Sequence, residues 1–336
     1  MKETEVPGAS KISSSGGHWS RQKEKAAGYW LVKFTLILFR ILPVVILRVI
    51  AFPVGFFYFV FSKSARKESG CFLQTAAPFI NEPETVRKCR SRFGPLRHII
   101  SFSLTLVEKI QSWGGKFTFQ KIHFYDDDAA ELIKNLENGK GACLITSHLG
   151  NMELLRGLAA FGRTGVSRKV TVTAIEDVAV TAHFNRMLKE LNPESGVDLL
   201  SVKDISPDTA IILEEKLAAG ELIAIAGDRT AEGKQDNYTI PFFGKDAYFS
   251  SGPFYLAALM KAPVYFIFGV RRSDLSPAPQ YDMHIIKSDI QLDCSRKERF
   301  ERGYQLAASF AALLENYCKE YPFQWYNFYD FWHKGA

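Results

Sequence analysis

The segment ACLITSHLGNMELLRGLAA, residues 142–160, places a histidine and an acid where a predicted strand gives way to a helix. The apolar run before Ser147 predicts a buried strand, and the pattern after Gly150 predicts a helix that carries Glu153. A neutral imidazole, whose ordinary pKa is about 6.5, can take a proton from a hydroxyl at neutral pH. A carboxylate on its other nitrogen fixes the tautomer and stabilises the imidazolium. We therefore predict that His148 is a general base and that Glu153 is its carboxylate partner.

The spacing alone does not identify a catalytic pair. A histidine followed five residues later by an acid also occurs at His123/Asp128 and at His284/Asp289. Those histidines lie inside strand-like runs, where residues five apart are separated by roughly 17 Å and face opposite sides. Surface histidines ahead of acidic turns explain both pairs. His148 differs because it lies at a strand-to-helix turn, and a structural histidine at a strand end is the alternative there.

Polar residues follow three of the predicted strands. They are Ser147–His148 after ACLIT, Asp228–Arg229 after LIAIAG, and Arg271–Arg272 after VYFIFGV. In open α/β sheets ligands bind at the carboxyl ends of strands, so we expect these residues to share one crevice. The planar guanidinium of Arg229 matches a phosphate, which predicts a clamp on a charged substrate group. A local ion pair between Arg229 and Asp228 is the alternative.

Two predicted helix starts adjoin this crevice. Backbone N–H groups near Gly150 and Asn151 would open the first helix and, with its positive dipole end, would attract an anion. Ser251 precedes a second helix, in which Pro253 is suited to the first position. We predict that Gly150, Asn151 and Ser251 contribute to substrate binding together with Asp228.

Short β-rich runs alternate with helical stretches from residue 116 onward. The runs are 117–125, 142–147, 170–175, 197–202, 222–227, 264–270 and 281–286. The helical stretches include 128–139, 179–192 and 208–220. This alternation predicts an α/β fold with a central mixed β-sheet of about seven strands flanked by helices. We divide the chain into a disordered tail (1–20), basic hydrophobic membrane-anchoring helices (21–67), a helical cover (68–115) and the α/β domain (116–336).

The positive charge is concentrated at the N-terminal end. Residues 1–67 contain eleven Lys or Arg and three acids, and the net charge of the whole chain is +6. The apolar stretch 29–61 is interrupted by Lys33, Arg40 and Arg48, which would reach the headgroups from helices that lie in the membrane interface. A single span and a soluble core helix are the alternatives, because the longest uncharged stretch is shorter than the about 20 residues of a typical span.

The composition excludes several classes of site. The five cysteines are scattered without zinc-type or disulfide spacing. The sequence has no Gly-rich nucleotide loop, no metal-ligand cluster and no basic nucleic-acid element. We therefore predict no cofactor, no metal and no nucleic-acid partner. The aromatic end YPFQWYNFYDFWHKGA is interpreted as core cover or an interfacial belt.

Four motifs follow one another along the chain: SHLGNMELL, GDRT, PFFGK with SSGPFYLA, and KAPV. Their order resembles that of the bacterial lipid A biosynthesis lauroyl/myristoyl acyltransferases, within the lysophospholipid acyltransferase superfamily. The resemblance extends over most of the chain, and HWSRQKEKA and FQWYNFYDFW resemble a subgroup from aryl-polyene or similar lipid pathways. It implies transfer of a fatty acyl group from an acyl-carrier-protein thioester to a hydroxyl of a lipid acceptor. It also implies a location at the cytoplasmic face of the inner membrane, in contact with its lipids.

The resemblance implies roles for individual residues. His148 matches the base of the family motif and Glu153 its acid, at a position where many members have Asp. Asp228 and Arg229 match a later polar block that helps to place the acceptor or a charged group. This block lacks the Pro-Glu-Gly form of the glycerol-phosphate acyltransferases, so the acceptor is the least determined part of the prediction.

Three other functions are the alternatives. One is a lysophospholipid or glycerol-phosphate type of acyltransferase that uses acyl-CoA. Another is a non-catalytic membrane protein that binds acyl lipids. The third is a membrane-bound hydrolase with Ser147 or Cys143 as nucleophile, which the absence of a Gly-x-Ser-x-Gly elbow from the sequence disfavours.

Overall fold

The computed structural model describes residues 38–39, 41–114, 117, 119–125, 127–160, 165–176, 197–202, 205–229, 237–276 and 278–332. The helices of this part are α1 (Val44–Phe61), α2 (Lys63–Ala76), α3 (Pro83–Arg90), α4 (Gly94–Trp113), α5 (Asp127–Glu137), α6 (Glu153–Ala160), α7 (Pro207–Ala218), α8 (Ser251–Met260) and α9 (Arg299–Glu320). The strands are β1 (Ile122–Phe124), β2 (Ala142–Gly150), β3 (Val172–Glu176), β4 (Val197–Ser201), β5 (Leu222–Ala226), β6 (Asn237–Phe242), β7 (Lys245–Ser250), β8 (Val264–Arg271) and β9 (Tyr281–Lys287). The predicted tail 1–20 and the predicted helical stretch 179–192 lie outside the described residues.

Seven of these strands form one mixed sheet in the order β1–β9–β8–β2–β5–β3–β4. The five strands from β8 to β4 are parallel to one another, β9 is antiparallel to β8, and β1 is parallel to β9. Each of the seven β-rich runs corresponds to one of these strands. The predicted α/β fold with a mixed sheet of about seven strands is therefore confirmed.

The central strands are buried on both faces of the sheet. In β2, Cys143 and Ile145 belong to the core that contains apolar residues of α8 and α9. Ala142 and Leu144 point the other way and belong to the core that contains residues of α5 and α6. Parallel strands with helices on both sides need apolar residues at successive positions, which explains why these strands read as continuous apolar runs.

A two-stranded antiparallel ribbon, β6 and β7, interrupts the alternation of strands and helices. The sequence predicts a polar loop here, and β6 contains Pro241, which argues against a strand. The ribbon tolerates this proline because each of its strands has an open edge. Phe243 and Gly244 join the strands with φ values of 50° and 68°, as a tight hairpin turn requires.

Helix α1 packs along α4 through a narrow stripe of its surface. The buried residues of α1 are Leu47, Arg48, Ala51 and Gly55. A Cβ at Gly55 would meet Ser103 Oγ at 2.8 Å and Ile100 Cα at 3.2 Å, so the close approach of the helices requires glycine. The rest of α1 is apolar and largely exposed. In the part of the chain that the structure describes, α1 alone is long and apolar enough to cross a membrane by length and composition.

A buried charged cluster attaches α1 to the central sheet. Arg48 Nη2 donates to Gln111 Oε1 at 2.8 Å, and Arg48 Nε lies 3.9 Å from Glu108 Oε1. Arg271 at the end of β8 places Nη2 2.5 Å from Glu108 Oε2, and the Tyr281 hydroxyl donates to the same carboxylate. Removing one member would leave an uncompensated buried charge, so the cluster holds α1, α4 and β8 in a fixed arrangement.

Candidate active site

The order of the strands brings His148 and Asp228 together. Strand β2 lies between β5 and β8, so residues at the carboxyl ends of these three strands meet at one edge of the sheet. Thr146 of β2 pairs with Ala226 of β5, and the Gly227 N–H donates to the Thr146 carbonyl oxygen at 2.9 Å. This parallel register places Asp228 beside His148 although 80 residues separate them.

Asp228 holds His148 through two hydrogen bonds. Asp228 Oδ1 accepts from His148 Nδ1 at 2.8 Å, and Oδ2 accepts from the His148 backbone N–H at 2.7 Å. The Trp325 Nε1–H donates to the same Oδ2 at 2.8 Å. The carboxylate is fully buried, whereas 26% of the His148 side chain is exposed. These partners assign the ring proton to Nδ1 and make Nε2 the basic nitrogen.

The carboxylate on His148 Nδ1 belongs to Asp228, and the catalytic role predicted for Glu153 stays a prediction. Glu153 Oε2 accepts the Trp113 indole N–H at 3.0 Å, and the Ser112 hydroxyl donates to the Glu153 backbone carbonyl at 3.4 Å. The physical reason is that β2 continues past His148 to Gly150, so α6 begins only at Glu153. The extended chain carries Glu153 toward α4, and the carboxylate at Nδ1 comes from the neighbouring strand instead.

Arg229 lies against the other ring nitrogen. Its Nε donates to His148 Nε2 at 3.3 Å, and its Nη1 donates to Asn327 Oδ1 at 2.9 Å. The guanidinium carbon stands 5.2 Å from the centre of the Tyr329 ring, within the range of a cation–π contact. A permanent positive charge therefore stands next to the basic nitrogen of His148, where it can meet an anionic substrate group.

Burial and nearby cations lower the pKa of His148 below its ordinary value. Burial disfavours the charged ring, the charges of Arg229 and Lys109 oppose protonation, and Asp228 favours it. Burial likewise opposes ionisation of Asp228, but the attraction and hydrogen bonds of His148 and the charge of Arg229 outweigh it and lower the pKa of Asp228. His148 is therefore neutral and Asp228 ionised at neutral pH, as a general base and its partner must be.

Gly150 and Asn151 end a strand and do not open a helix, contrary to the prediction. Gly150 has a φ of +68°, and a Cβ there would overlap the Gly269 carbonyl oxygen. The Asn151 backbone N–H donates to that same oxygen at 2.7 Å, so it is not an unused helix donor. The Asn151 side chain is fully buried, and neither of its amide atoms has a hydrogen-bond partner among the residues that the structure describes. The unused donor of this region is thus a side-chain amide.

The remaining strand-end and helix-start residues divide into two groups. Ser251 opens α8 near Arg229, because the backbone N–H of the preceding residue donates to the Arg229 carbonyl oxygen at 3.3 Å. Arg271 turns into the buried cluster around Glu108, and Arg272 is 43% exposed and pairs with a carboxylate of β9 at 2.8 Å. The three strand ends lie at the same edge of the sheet, as predicted. Arg271 and Arg272 at the end of β8, however, do not contact His148, Asp228 or Arg229 in the described part of the chain.

The C-terminal segment after α9 supplies contacts that sequence reasoning missed. Trp325 donates to the Asp228 carboxylate, Asn327 accepts from Arg229, and the Tyr329 hydroxyl donates to the Asp228 carbonyl oxygen at 3.3 Å. The backbone of this segment also donates to the His148 carbonyl oxygen at 3.0 Å. The aromatic run is core cover, as interpreted, and it also orients the site. The signal was present, because a buried indole N–H or phenol O–H needs a polar partner.

Ser147 and Cys143 do not form an activated nucleophile. Burial raises the pKa of the Cys143 thiol to about 12, so the reactive thiolate is suppressed. Ser147 is 1% exposed, and its hydroxyl oxygen accepts the Leu149 N–H at 3.2 Å. The geometry supports proton removal from an external hydroxyl at His148 better than a covalent enzyme intermediate.

Comparison with known proteins identifies the family of the chain. The model of the bacterial lipid A biosynthesis acyltransferase family matches residues 15–334. None of the curated protein sequences matches the chain. The family consists of membrane-associated transferases that use an acyl donor and a lipid acceptor. Because the match covers the N-terminal apolar helix, all strands of the sheet and the C-terminal segment around His148, the chain belongs to the bacterial lipid A biosynthesis acyltransferase family.

Proposed function

We propose that this protein is an O-acyltransferase that moves a fatty acyl chain from an acyl-carrier-protein thioester to a hydroxyl of a lipid acceptor. The acceptor is a lipid A-like or aryl-polyene-type glycolipid, and His148 is the general base. One observation carries the proposal: a partly exposed, neutral imidazole has its Nδ1 held by a buried carboxylate at 2.8 Å. Asp228 thus takes the role that the sequence predicts for Glu153.

In the proposed reaction the acceptor hydroxyl approaches His148 Nε2 to within about 3 Å. Nε2 takes the hydroxyl proton as the oxygen attacks the thioester carbonyl carbon, and Asp228 stabilises the imidazolium that forms. The side-chain amide of Asn151 is the candidate donor for the tetrahedral oxyanion. The C–S bond then breaks, and the thiol leaves with the proton that His148 returns.

Glu153 has a positioning role in this proposal. Its buried carboxylate accepts the Trp113 indole N–H, which joins the start of α6 to the end of α4 immediately after the His148 loop. Loss of this bond would remove a buried hydrogen bond that connects α4 to α6. The expected consequence is a loss of stability first and of activity second.

The exposed apolar surface of α1 supports a site at the membrane, and we place the protein at the cytoplasmic face of the inner membrane. Val45, Val49, Phe57 and Phe61 are 65%, 64%, 57% and 79% exposed. Large apolar patches of this kind on a folded protein mark a contact surface, and hydrocarbon is the partner that fits an uninterrupted apolar face.

Matched substitutions test the assignment of the base and its partner. His148→Ala and Asp228→Asn should each lower acyl transfer by roughly 10²–10⁴-fold, because they remove the base or its tautomer control. His123→Ala, in an exposed strand position, is the control and should retain the wild-type rate. Glu153→Gln and Trp113→Phe both affect the hydrogen bond between these two side chains, so they should lower the unfolding temperature by similar amounts.

The acceptor is identified by mass spectrometry of lipids from a deletion strain complemented with each variant. A lipid that lacks one acyl group in the deletion strain, and regains it with wild type but not with His148→Ala, names the chain and the acceptor. Wild-type transfer by His148→Ala would refute the base assignment. Transfer retained by Asp228→Asn but lost in a stably folded Glu153→Gln would return the partner role to Glu153.

A further inference from the structure

Arg229 covers the nitrogen of His148 that must accept a proton. Its Nε donates to His148 Nε2 at 3.3 Å, while Nδ1 donates to Asp228 at 2.8 Å. An acceptor hydroxyl has to lie in hydrogen-bond contact with the same Nε2 before it can be deprotonated. The guanidinium and the hydroxyl therefore compete for a single lone pair.

The contacts of Arg229 suit a cover that opens. The bond to His148 is at the long end of the hydrogen-bond range. Two of the groups that also hold the guanidinium, the Asn327 amide and the Tyr329 ring, are neutral. The charge of the buried Asp228 carboxylate also acts on Arg229, but its oxygens accept hydrogen bonds from His148 and Trp325. A guanidinium forms roughly twice as strong a hydrogen bond with an anion, and its fork matches two oxygens of a phosphate or carboxylate. An anionic group that reaches the site would bind Arg229 more strongly than His148 does.

We propose that Arg229 keeps His148 covered until an anionic group of the acceptor, a phosphate or a comparable oxyanion, binds the guanidinium and withdraws it from Nε2. The base then becomes available when the acceptor is in place. This inference rests on the proposed function, in which His148 deprotonates the acceptor. It adds an acceptor requirement: the reactive hydroxyl must be carried by a molecule with an oxyanion within reach of Arg229.

The cover would suppress hydrolysis of the donor. With Nε2 open and no acceptor bound, a water molecule can give a proton to His148 while its oxygen bonds to the acyl carbon. The C–S bond breaks, and the leaving sulfur takes the proton from the imidazolium. The products are a free fatty acid and a free thiol, and no other reactant is needed. Thiol release without acceptor therefore reports how often His148 is uncovered.

The test measures this thiol release with full-length protein in detergent micelles and an acyl-carrier-protein thioester. A pH of about 8, above the ordinary pKa of histidine, keeps His148 neutral in every variant. Arg229→Gln should raise acceptor-independent release by about tenfold or more, the typical effect of losing a hydrogen bond from a charged group. Asn327→Ala, which removes the partner of Nη1, should give a smaller rise. Adding His148→Ala to Arg229→Gln should abolish it.

Arg92→Gln is the matched control for removing a guanidinium. Arg92 is exposed, and its guanidinium lies 4.6 Å from the centre of the Phe93 ring on the surface. This variant should release thiol at the wild-type rate. If Arg229→Gln also releases thiol at that rate, the cover does not exist. A rise that persists without His148 would equally overturn the proposal.

Added anions test what opens the cover in the wild-type protein, so the inference can be judged even if Arg229→Gln fails to fold. Inorganic phosphate, or phosphatidic acid in the micelles, should raise acceptor-independent release in the wild type and have no effect in Arg229→Gln. Stimulation by both indicates any accessible phosphate, and stimulation by phosphatidic acid alone indicates a lipid headgroup. Stimulation by neither overturns the proposal.

The failure of this inference can be distinguished from failure of the proposed function. If wild-type protein with a lipid-extract acceptor shows no His148-dependent acyl transfer, the proposed function is wrong. If transfer depends on His148 but Arg229→Gln leaves both thiol release and the acceptor KM unchanged, the cover alone is wrong. The expected result is more thiol release and a higher acceptor KM in the same variant.

Discussion

The basicity of His148 depends on two neighbouring residues with opposite electrostatic effects. Asp228 favours the imidazolium, whereas Arg229 and Lys109 disfavour it, and burial of the ring adds to their effect. The net result is a lowered pKa, so the ring stays neutral to lower pH than an ordinary histidine. In the proposed reaction, Asp228 would stabilise the ring when the proton arrives, and Arg229 would keep it neutral beforehand.

The pH profile of acyl transfer should report this balance. We expect kcat/KM to fall as the pH drops through the lowered pKa of His148, that is, below about 6.5, because the protonated ring cannot accept a proton. Arg229→Gln removes a charge that lowers the pKa, so its acid limb should shift to higher pH. Asp228→Asn removes a charge that raises the pKa, so the limb of its residual activity should shift to lower pH.

The pH profiles of Arg229→Gln and Asp228→Asn are measured as kcat/KM on purified protein. Arg92→Gln is the control, and its profile should superimpose on that of the wild type. Shifts in opposite directions for the two variants would attribute the limb to His148. An acid limb that stays in place in both variants would attribute it to another group.

Among the secondary structure elements, the carboxyl end of β2 determines where His148, Asn151 and the start of α6 lie. β2 runs past His148 to Gly150, where the chain takes a positive φ, and its register with β8 shifts between Thr146 and Gly150. Gly150 and Gly269 are opposed in this pairing, and the two chains approach too closely for a side chain at position 150. The shift in register allows His148 to remain beside β5 while Asn151 and α6 turn toward α4.

Two glycines with similar backbone angles separate the effect of conformation from that of crowding. Gly139 has a φ of 72°, and no described residue comes within 4 Å of an added Cβ, so Gly139→Ala should cost about 1–2 kcal/mol from the backbone alone. Gly150→Ala, at a φ of 68°, would in addition drive a methyl group into the Gly269 carbonyl oxygen. We expect it to lower the unfolding temperature substantially more and to abolish acyl transfer.

Thermal unfolding in detergent, followed by circular dichroism, checks this prediction. Gly252→Ala, whose Cβ would lie 3.7 Å from its nearest neighbour, is the unstrained control. Equal losses at positions 139 and 150 would show that crowding by β8 is unimportant.

On the scale of the whole molecule, α1 is attached along its length to the body that contains the site. Gly55 lies against Ile100 and Ser103 in the middle of α4, where an added Cβ would be crowded, and Arg48 contacts Gln111 near the end of α4. The opposite side of α4 faces the C-terminal segment, since His98 Nε2 lies 2.9 Å from the Trp325 carbonyl oxygen. A spanning helix would have to take α4 and its buried charges into the bilayer with it. We therefore expect α1 to lie in the interface, with its exposed apolar face in the lipid.

Vesicle flotation of the full-length chain tests this orientation. Phe57→Ser together with Phe61→Ser should weaken binding to vesicles, because each buried aromatic side chain contributes about 1.5–3 kcal/mol to transfer from water. The matched control is Phe300→Ser, at a residue that is 50% exposed on α9. An interfacial helix should also be released by alkaline carbonate, whereas protein that resists carbonate would indicate a span.

Much of the architecture could be predicted because it follows from local patterns. The seven strands of the main sheet are short apolar runs, and burial on both faces requires that pattern whatever their order. The β6–β7 ribbon was missed because Pro241 and the polar loop before it argue locally against a strand. The domain boundaries at residues 20, 67 and 115 and the roles of Gly150, Asn151 and Ser251 in substrate binding stay predictions.

The sequence by itself determined the seven strands of the main sheet, the polar strand ends and His148 as the candidate base, since each depends on residues close together in the chain. Which carboxylate lies on Nδ1 of His148 was decided by the tertiary structure. Asp228 and Trp325 lie 80 and 97 positions from their hydrogen-bond partners. Their contacts exist because β5 pairs with β2 although β3 and β4 come between them in the chain, and because the C-terminal segment returns to the same edge of the sheet. Strand order and register are set by the packing of the whole core, which no local spacing of His148 and Glu153 reveals.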